Sequence, residues 1–317
     1  MRIFNYRIRK CTILLLFALT ILLFYYCQFQ PKRIFETSTR KLPNALIIGA
    51  QKCGTGTFKT FIDKHPSVEA CGYETSFFNK DISYMKGVEW YRSQMPLTNE
   101  NQITLEKTPD YFPNGKSPER VYALNPEMKL IVIVCDPVRR AVSSYMHQKS
   151  DFLKYGSCWD HQLEMLFLNN KNNLNNDSEI FKTFVNQELF KNSSIFSNGL
   201  YNEHVQSWLK YFPKNQMLFL NGGRFKVEPW VEMEKLQSFL NVEPLIRRDH
   251  FVFSQTKGFY CLRHPTTNQV ECMGKNKGRK HSEIDAVVLN DLRELYRLEN
   301  LRFFQFLNEE MTPWWQI

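Results

Sequence analysis

Glycine and proline are scarce in this chain, 13 and 14 among 317 residues, so neither a collagen-like rod nor a Pro/Gly-rich disordered tail fits. Cysteine is thin as well. Eight are spread over the whole length, which excludes a small disulfide scaffold and shows no zinc-ligand spacing. Internal repeats are missing, and from Pro43 onward no linker is long enough to divide a domain. What is plentiful is apolar side chain, 43% hydrophobic and 15% aromatic, enough for a sizeable core. Acidic residues are in deficit, 32 Asp and Glu against 41 Lys and Arg. The net charge of +9 suits an anionic partner without choosing among nucleic acid, anionic lipid, nucleotide and acidic polysaccharide.

Near the N-terminus, Arg2, Arg7, Arg9 and Lys10 precede CTILLLFALTILLFYYC, Cys11 to Cys27, 17 residues without a charge. That is the short end of a bilayer span. Tyr25 and Tyr26 suit an interfacial belt, and the leading positive cluster points the N-terminus to the cytosol. A cleaved signal peptide would need a small-residue cleavage site, which FYYCQFQPK lacks. The expectation is a cytosolic tail over 1–10, a signal anchor over 11–27, a stem over 28–42 and a lumenal domain over 43–317, a single-pass type II arrangement. A lumenal domain tolerates disulfides, and the sequons opening at Asn176 and Asn192 become glycosylation candidates.

Three short apolar runs read as buried parallel strands: Ala45–Gly49, Lys129–Cys135 and Gln216–Leu220. Helical spacing of apolar residues appears over Thr55–Lys64, Ser117–Leu124, Pro137–Gln148, Leu200–Tyr211 and Trp230–Leu240, and over Asp285–Leu307 as one helix or a pair. The asparagine-rich stretch Asn169–Glu179 reads as a surface loop. Alternation of this kind predicts a single α/β domain, a central parallel sheet with helices on both faces.

The first strand runs directly into IIGAQKCGTGTF. Gly49 and Gly54 have the G-x-x-x-x-G spacing of a nucleotide phosphate loop, but Thr55 stands where the usual lysine would follow, and Lys52 lies inside the loop. Small residues still let the backbone curl around an anion at the start of the next helix, and Lys52 adds positive charge there. A nucleoside kinase or GTPase would need the lysine after Gly54, so a different nucleotide donor is expected.

The segment KLPNALIIGAQKCGTGT resembles the phosphosulfate loop of the Golgi heparan sulfate sulfotransferases, and GYETSFFNKD, GVEWYRSQMP, LEKTPDYF, SPERVYALNP, DPVRRAVSSY, TKGFYCLR and GKNKGRKHSEID follow in the family's order. The closest resemblance is to the glucosaminyl 3-O-sulfotransferases, through EKTPDYF, PERVYALNP and GFYCL. Gln51-Lys52, Phe77-Phe78-Asn79, Tyr145-x-His147-Gln148 and Lys277-Gly-Arg-Lys280 instead resemble the N-sulfotransferase domain.

The resemblance implies a P-loop-like sulfotransferase fold and 3′-phosphoadenosine 5′-phosphosulfate (PAPS) as donor. It implies that Lys52, Cys53, Gly54, Thr55 and Gly56 hold the phosphosulfate, that Ser143 and the position of Cys135 face the 3′-phosphate, and that Tyr260 lies against the adenine. Lys277, Gly278, Arg279, Lys280 and His281 would wrap the phosphates, and Cys261 and Cys272 would form a disulfide. Glu74 matches the family's catalytic glutamate and Lys107 a lysine near acceptor and sulfate; with Lys52 they form the implied catalytic set. A sugar hydroxyl is a poor nucleophile at neutral pH, so a positioned base is useful, and a site that handles two polyanions needs cations.

The implied acceptor is the 3-hydroxyl of glucosamine in heparan sulfate, with N-sulfation, sulfation at another position, or non-catalytic heparan binding as alternatives. The chain departs from the family where Cys135 replaces an arginine on the 3′-phosphate. Loss of such a contact costs about 1.5–3 kcal/mol, with Arg139 or Arg140 as candidate replacements. Ser76, Asn79 and Gly56 are further departures. Cys53 sits where a thiol could be activated. No metal site and no nucleic-acid partner are expected.

Overall fold

The structure, a computed structural model, describes residues 38–171, 174–274, 283–308 and 311. The expected tail and anchor, most of the stem, and the run Lys277–His281 lie outside the described residues. Among the described residues no helix is long and apolar enough to cross a membrane. From Ser38 onward the chain forms one compact unit.

Strands β1 (Thr39–Arg40) and β2 (Ala45–Gly49) lead into α1 (Thr55–Ile62) and β3 (Val68–Ala70). Short helices α2 (Asp81–Tyr84) and α3 (Gly87–Ser93) precede β4 (Leu97–Thr98) and β5 (Ile103–Lys107). Helix α4 (Ser117–Leu124) returns to β6 (Lys129–Val134). There follow α5 (Pro137–Tyr155), α6 (His161–Asn169), α7 (Asp177–Val185), α8 (Ser194–Ser197) and α9 (Tyr201–Leu209). Strand β7 (Met217–Asn221) leads to α10 (Arg224–Val227) and α11 (Pro229–Leu240), then β8 (Phe251–Ser254), β9 (Phe259–Arg263), β10 (Val270–Glu271) and α12 (Ala286–Leu307).

The central sheet is parallel, in the order β3-β5-β2-β6-β7. β2 is buried at all five positions and β6 at five of six, as expected of apolar runs covered on both faces. β3 and β5 read VEA and ITLEK; they carry no continuous apolar run and do not stand out in the sequence. β8, β9 and β10 form a separate antiparallel sheet, also unmarked in the sequence reading.

Two apolar clusters hold the domain together. One surrounds the sheet and takes in Phe58 and Phe61 of α1, Trp208 of α9 and Phe303 of α12. The other lies among α5 to α8 and the first half of α12, around Tyr145, Phe181 and Tyr296. The C-terminal helix is thus one element serving both clusters, not a pair. The asparagine-rich loop is shorter than expected, because α6 runs to Asn169 and α7 starts at Asp177, with the Asn176 side chain accepting from the Glu179 amide.

Candidate functional site

In an open α/β sheet, ligands collect beyond the carboxyl ends of the strands, where connections leave in opposite directions. Here that place lies between β2 and β6. From β2 the chain goes to β3 on one side, and from β6 to β7 on the other. The loops after β2, β3, β5, β6 and β7 therefore converge at one end of the sheet.

The loop after β2 is the candidate phosphate cradle. The Ala50 amide donates to the Ile133 carbonyl at 2.7 Å, pinning the loop to β6. Gly54 caps α1 in left-handed backbone (φ 97), with no side chain bonded to the helix start. The Thr55 and Gly56 amides precede the first residues that can bond inside the helix, so they face outward as anion donors. Lys52 also lies in left-handed backbone (φ 73), a conformation that is costly for a residue with a Cβ and that clusters at functional loops. A neighbouring glycine that the sequence did not flag is part of the build. A Cβ on Gly222, just past β7, would lie 2.5 Å from the Cys53 carbonyl oxygen, so only glycine lets that turn back the loop. Outward amides, a lysine and an uncapped first turn fit a phosphosulfate group.

Cys53 and Cys135 are disulfide-bonded. This corrects the reading of Cys53 as a reactive thiol and of Cys135 as merely a lost arginine. The bridge joins the phosphate loop to the end of β6, and the Tyr201 hydroxyl seals it from behind, donating to the Cys135 carbonyl at 2.9 Å. Arg140 is no replacement for the missing arginine. It is fully buried and donates to the Ile195 carbonyl, tying α5 to α8. Arg139, beside it in the first turn of α5, is exposed.

On the other side of β2, Glu74 and Lys107 form an ion pair. Glu74 stands in the loop after β3 and Lys107 is the last residue of β5. The lysine side chain is 15% exposed and the glutamate 44%, so the carboxylate stays accessible to a substrate. Phe77 and Phe78, close to Glu74 in sequence, turn into the core, where Phe77 stacks on Tyr91 at 4.3 Å. Asp110 lies nearby, its carboxyl raised above the usual range by burial and then by the charge of Glu74. Ser76 adopts left-handed backbone (φ 50), and the side-chain oxygen of Asn79 is buried without a partner. A cavity of about 220 Å³ lies between Lys107 and the start of α1; Gly56, Lys59, Tyr73, Lys107 and Met273 are among its lining.

The remaining residues of the expected set lie on separate elements. Ser143 is half-buried on α5. Tyr260 on β9 packs edge-on against Trp230 and Phe253, at 5.6 and 5.2 Å. The Cys261–Cys272 disulfide is present, with Cα atoms 4.4 Å apart, and it delivers Met273 to the cavity wall. Asn176 and Asn192 are exposed; of the sequon hydroxyls, Ser178 accepts from the Asp285 amide and Ser194 donates to Asp160.

Residues 42–310 match the sulfotransferase domain family. The chain is 38% identical to human heparan sulfate glucosamine 3-O-sulfotransferase 3A1 over 281 residues, 87% of this chain and 64% of that one. It thus spans just under two thirds of that relative's length. Identity to human heparan sulfate glucosamine 3-O-sulfotransferase 6 is 36%, over 86% of this chain and 73% of that one. Among solved structures, a sulfotransferase from Alicyclobacillus acidocaldarius superposes with a TM-score of 0.59 at 16% identity, covering 86% of this chain and 99% of that one; it supports the fold.

Proposed function

We propose, for a chain that belongs to the sulfotransferase family and within it to the heparan sulfate glucosamine 3-O-sulfotransferases, that it moves a sulfuryl group from PAPS to the 3-hydroxyl of glucosamine residues in heparan sulfate. The observation that carries this reading is the Glu74–Lys107 pair, whose lysine lines one cavity with Gly56 at the start of α1. A base and an anion cradle are the two parts that sulfuryl transfer needs.

In this reading, Glu74 takes the proton of the acceptor hydroxyl as that oxygen bonds to sulfur. The sulfur–oxygen bond to the nucleotide phosphate breaks, and Lys52 with the Thr55 and Gly56 amides offsets the charge left on that phosphate. Lys107 fixes where the Glu74 carboxylate points and adds positive charge beside the sulfate. Ser143 would meet the 3′-phosphate and Tyr260 the adenine, while Lys277–His281 would close over the phosphates. The cross-linked Cys53–Cys135 pair takes the place of a charged contact by holding the loop rather than by touching the donor.

The reading extends to place and processing. A type II protein of the Golgi membrane, anchored by residues 11–27 and glycosylated at Asn176 and Asn192, would meet both the nucleotide donor and the glycan in the lumen. A second reading, sulfation at nitrogen or at another hydroxyl, draws support from Ser76 and Asn79, which replace the His and Asp usual beside the glutamate. Incubation of the purified protein with radiolabelled PAPS and heparan sulfate tests the reading. Label in the glycan, lost in Glu74→Gln, is the expected result; tight glycan binding without incorporation would mark a binding protein instead.

A further inference from the structure

Two consecutive residues at the end of β5 meet two consecutive residues of the loop after β3. Side chains alternate along a strand, so Lys107 turns to one face and pairs with Glu74, while Glu106 turns to the other and takes Thr75. Glu106 is fully buried, and the mechanism above gives it no task. Its Oε1 accepts from the Thr108 hydroxyl at 2.6 Å and, more weakly, from the amide and hydroxyl of Thr75 at 3.4 Å; its Oε2 accepts from the Tyr91 hydroxyl at 3.4 Å.

The network continues under the turn. The Ser76 amide donates to the Thr108 hydroxyl at 3.4 Å and the Phe77 amide to the Tyr111 hydroxyl at 3.0 Å. Tyr111 in turn lies 3.0 Å from the Thr75 hydroxyl. All three amides that follow Glu74 therefore end on Glu106 or on a hydroxyl within this buried cluster. A buried carboxyl is costly unless its hydrogen bonds are satisfied, and a purely structural knot would be served by a neutral amide.

We propose that Glu106 is a positioning residue for sulfuryl transfer: it holds the turn that carries Glu74, and so aligns the Glu74–Lys107 pair on the acceptor hydroxyl. This rests on the reading of Glu74 as the base. The ionised carboxylate offers acceptors to every donor around it. The protonated acid must turn one oxygen into a donor, which loosens its hold on Thr75.

Burial pushes the Glu106 carboxyl up to about 7, with the Thr108 hydroxyl, the Thr75 amide, Tyr111 and Lys107 pulling the other way. The groups that face it are Tyr91 from α3, Tyr111 from the turn after β5, Lys107 beside it, and Cys71 and Tyr73 from the loop after β3. Burial holds Tyr91 and Tyr111 well above the usual tyrosine range and raises Cys71 and Tyr73. Glu106 is thus the member of this buried cluster whose charge changes near neutrality. Turnover should rise as pH passes upward through that point.

The test measures kcat and donor KM of the full chain from about pH 5.5 to about 8.5. The variants are Glu106→Gln and Thr108→Val, with binding of adenosine 3′,5′-bisphosphate as a check on the donor cradle. Glu106→Gln should keep bisphosphate affinity, lower kcat about 10- to 100-fold, and lose the inflection near neutrality. Thr108→Val keeps the carboxyl, removes its shortest hydrogen bond, and should move the inflection to higher pH. Wild-type kcat with an unchanged inflection in Glu106→Gln, or an unmoved inflection in Thr108→Val, overturns the proposal. An active Glu74→Gln enzyme would instead remove the reading on which it rests; an inactive Glu74→Gln beside a wild-type-like Glu106→Gln defeats the positioning role alone.

Discussion

Cys53 and Cys135, 82 residues apart in sequence, are bonded to each other with Cα atoms 5.4 Å apart, and the bridge clamps the phosphate loop to the end of β6. Closing a loop of that size restricts the unfolded chain and stabilises the fold by about 2–4 kcal/mol. Replacing both residues by serine should lower the thermal midpoint by about 5–10 °C. Donor KM should rise with little change in kcat, since the cross-link holds the cradle and not the acceptor side. A midpoint and donor KM matching wild type would show that the bridge does not hold the loop.

Gly222 makes the same loop sensitive from behind. A methyl group there meets the Cys53 carbonyl at 2.5 Å, and that oxygen is backbone, which cannot swing aside. Gly222→Ala should cost about 1–3 kcal/mol of stability and weaken binding of adenosine 3′,5′-bisphosphate, as measured by calorimetry. Unchanged affinity and stability would mean the loop has room that the structure does not show.

Glu74 and Lys107 separate by their kinetic signatures. Loss of a general base lowers turnover by about 10²- to 10⁴-fold, so Glu74→Gln should reduce kcat on that scale and leave bisphosphate binding intact. Lys107→Met removes a charge from the reacting centre and frees the carboxylate, so kcat should fall and acceptor KM should rise together. Steady-state measurements with each substrate varied in turn distinguish the two.

His204 gives a stability signature at acid pH. It is half-buried on α9, edge-on to the Phe112 ring at 5.3 Å, and bonds the Ser197 carbonyl at 2.9 Å through Nε2. Burial pushes its pKa from 6.5 down to about 4. Between those values the unfolded chain binds a proton that the folded chain does not. The contribution is therefore present above pH 6.5 and is lost as pH falls through the window, by about 3 kcal/mol at most. Chemical denaturation of His204→Gln should show a smaller loss between neutral and acid pH than wild type; an equal loss would place the titration elsewhere.

The sequence revealed most where chemistry and local pattern coincide. β2 begins and ends where its apolar run does, and α4 where its helical spacing does. Glu74 and Lys107 stand in motifs that could be matched, and the fold brings them together across 33 positions. What stayed hidden depends on long-range pairing. Nothing in the spacing of Cys53 and Cys135 announces that the ends of β2 and β6 are neighbours. β3 is only three residues long, and β5 carries a buried glutamate where an apolar residue would mark a strand. Gly222 looks like any turn glycine until the Cys53 carbonyl is placed against it. Arg139 and Arg140 read alike as candidate phosphate contacts, but the helix turns one outward and the other in.

Position-specific analysis of the labelled product tests the account most directly. After transfer from radiolabelled PAPS, heparan sulfate is cleaved to disaccharides and the labelled species are identified. Label on the 3-oxygen of glucosamine, dependent on Glu74, is the predicted result. Label on the glucosamine nitrogen or on another hydroxyl, with the 3-oxygen unlabelled, would contradict it.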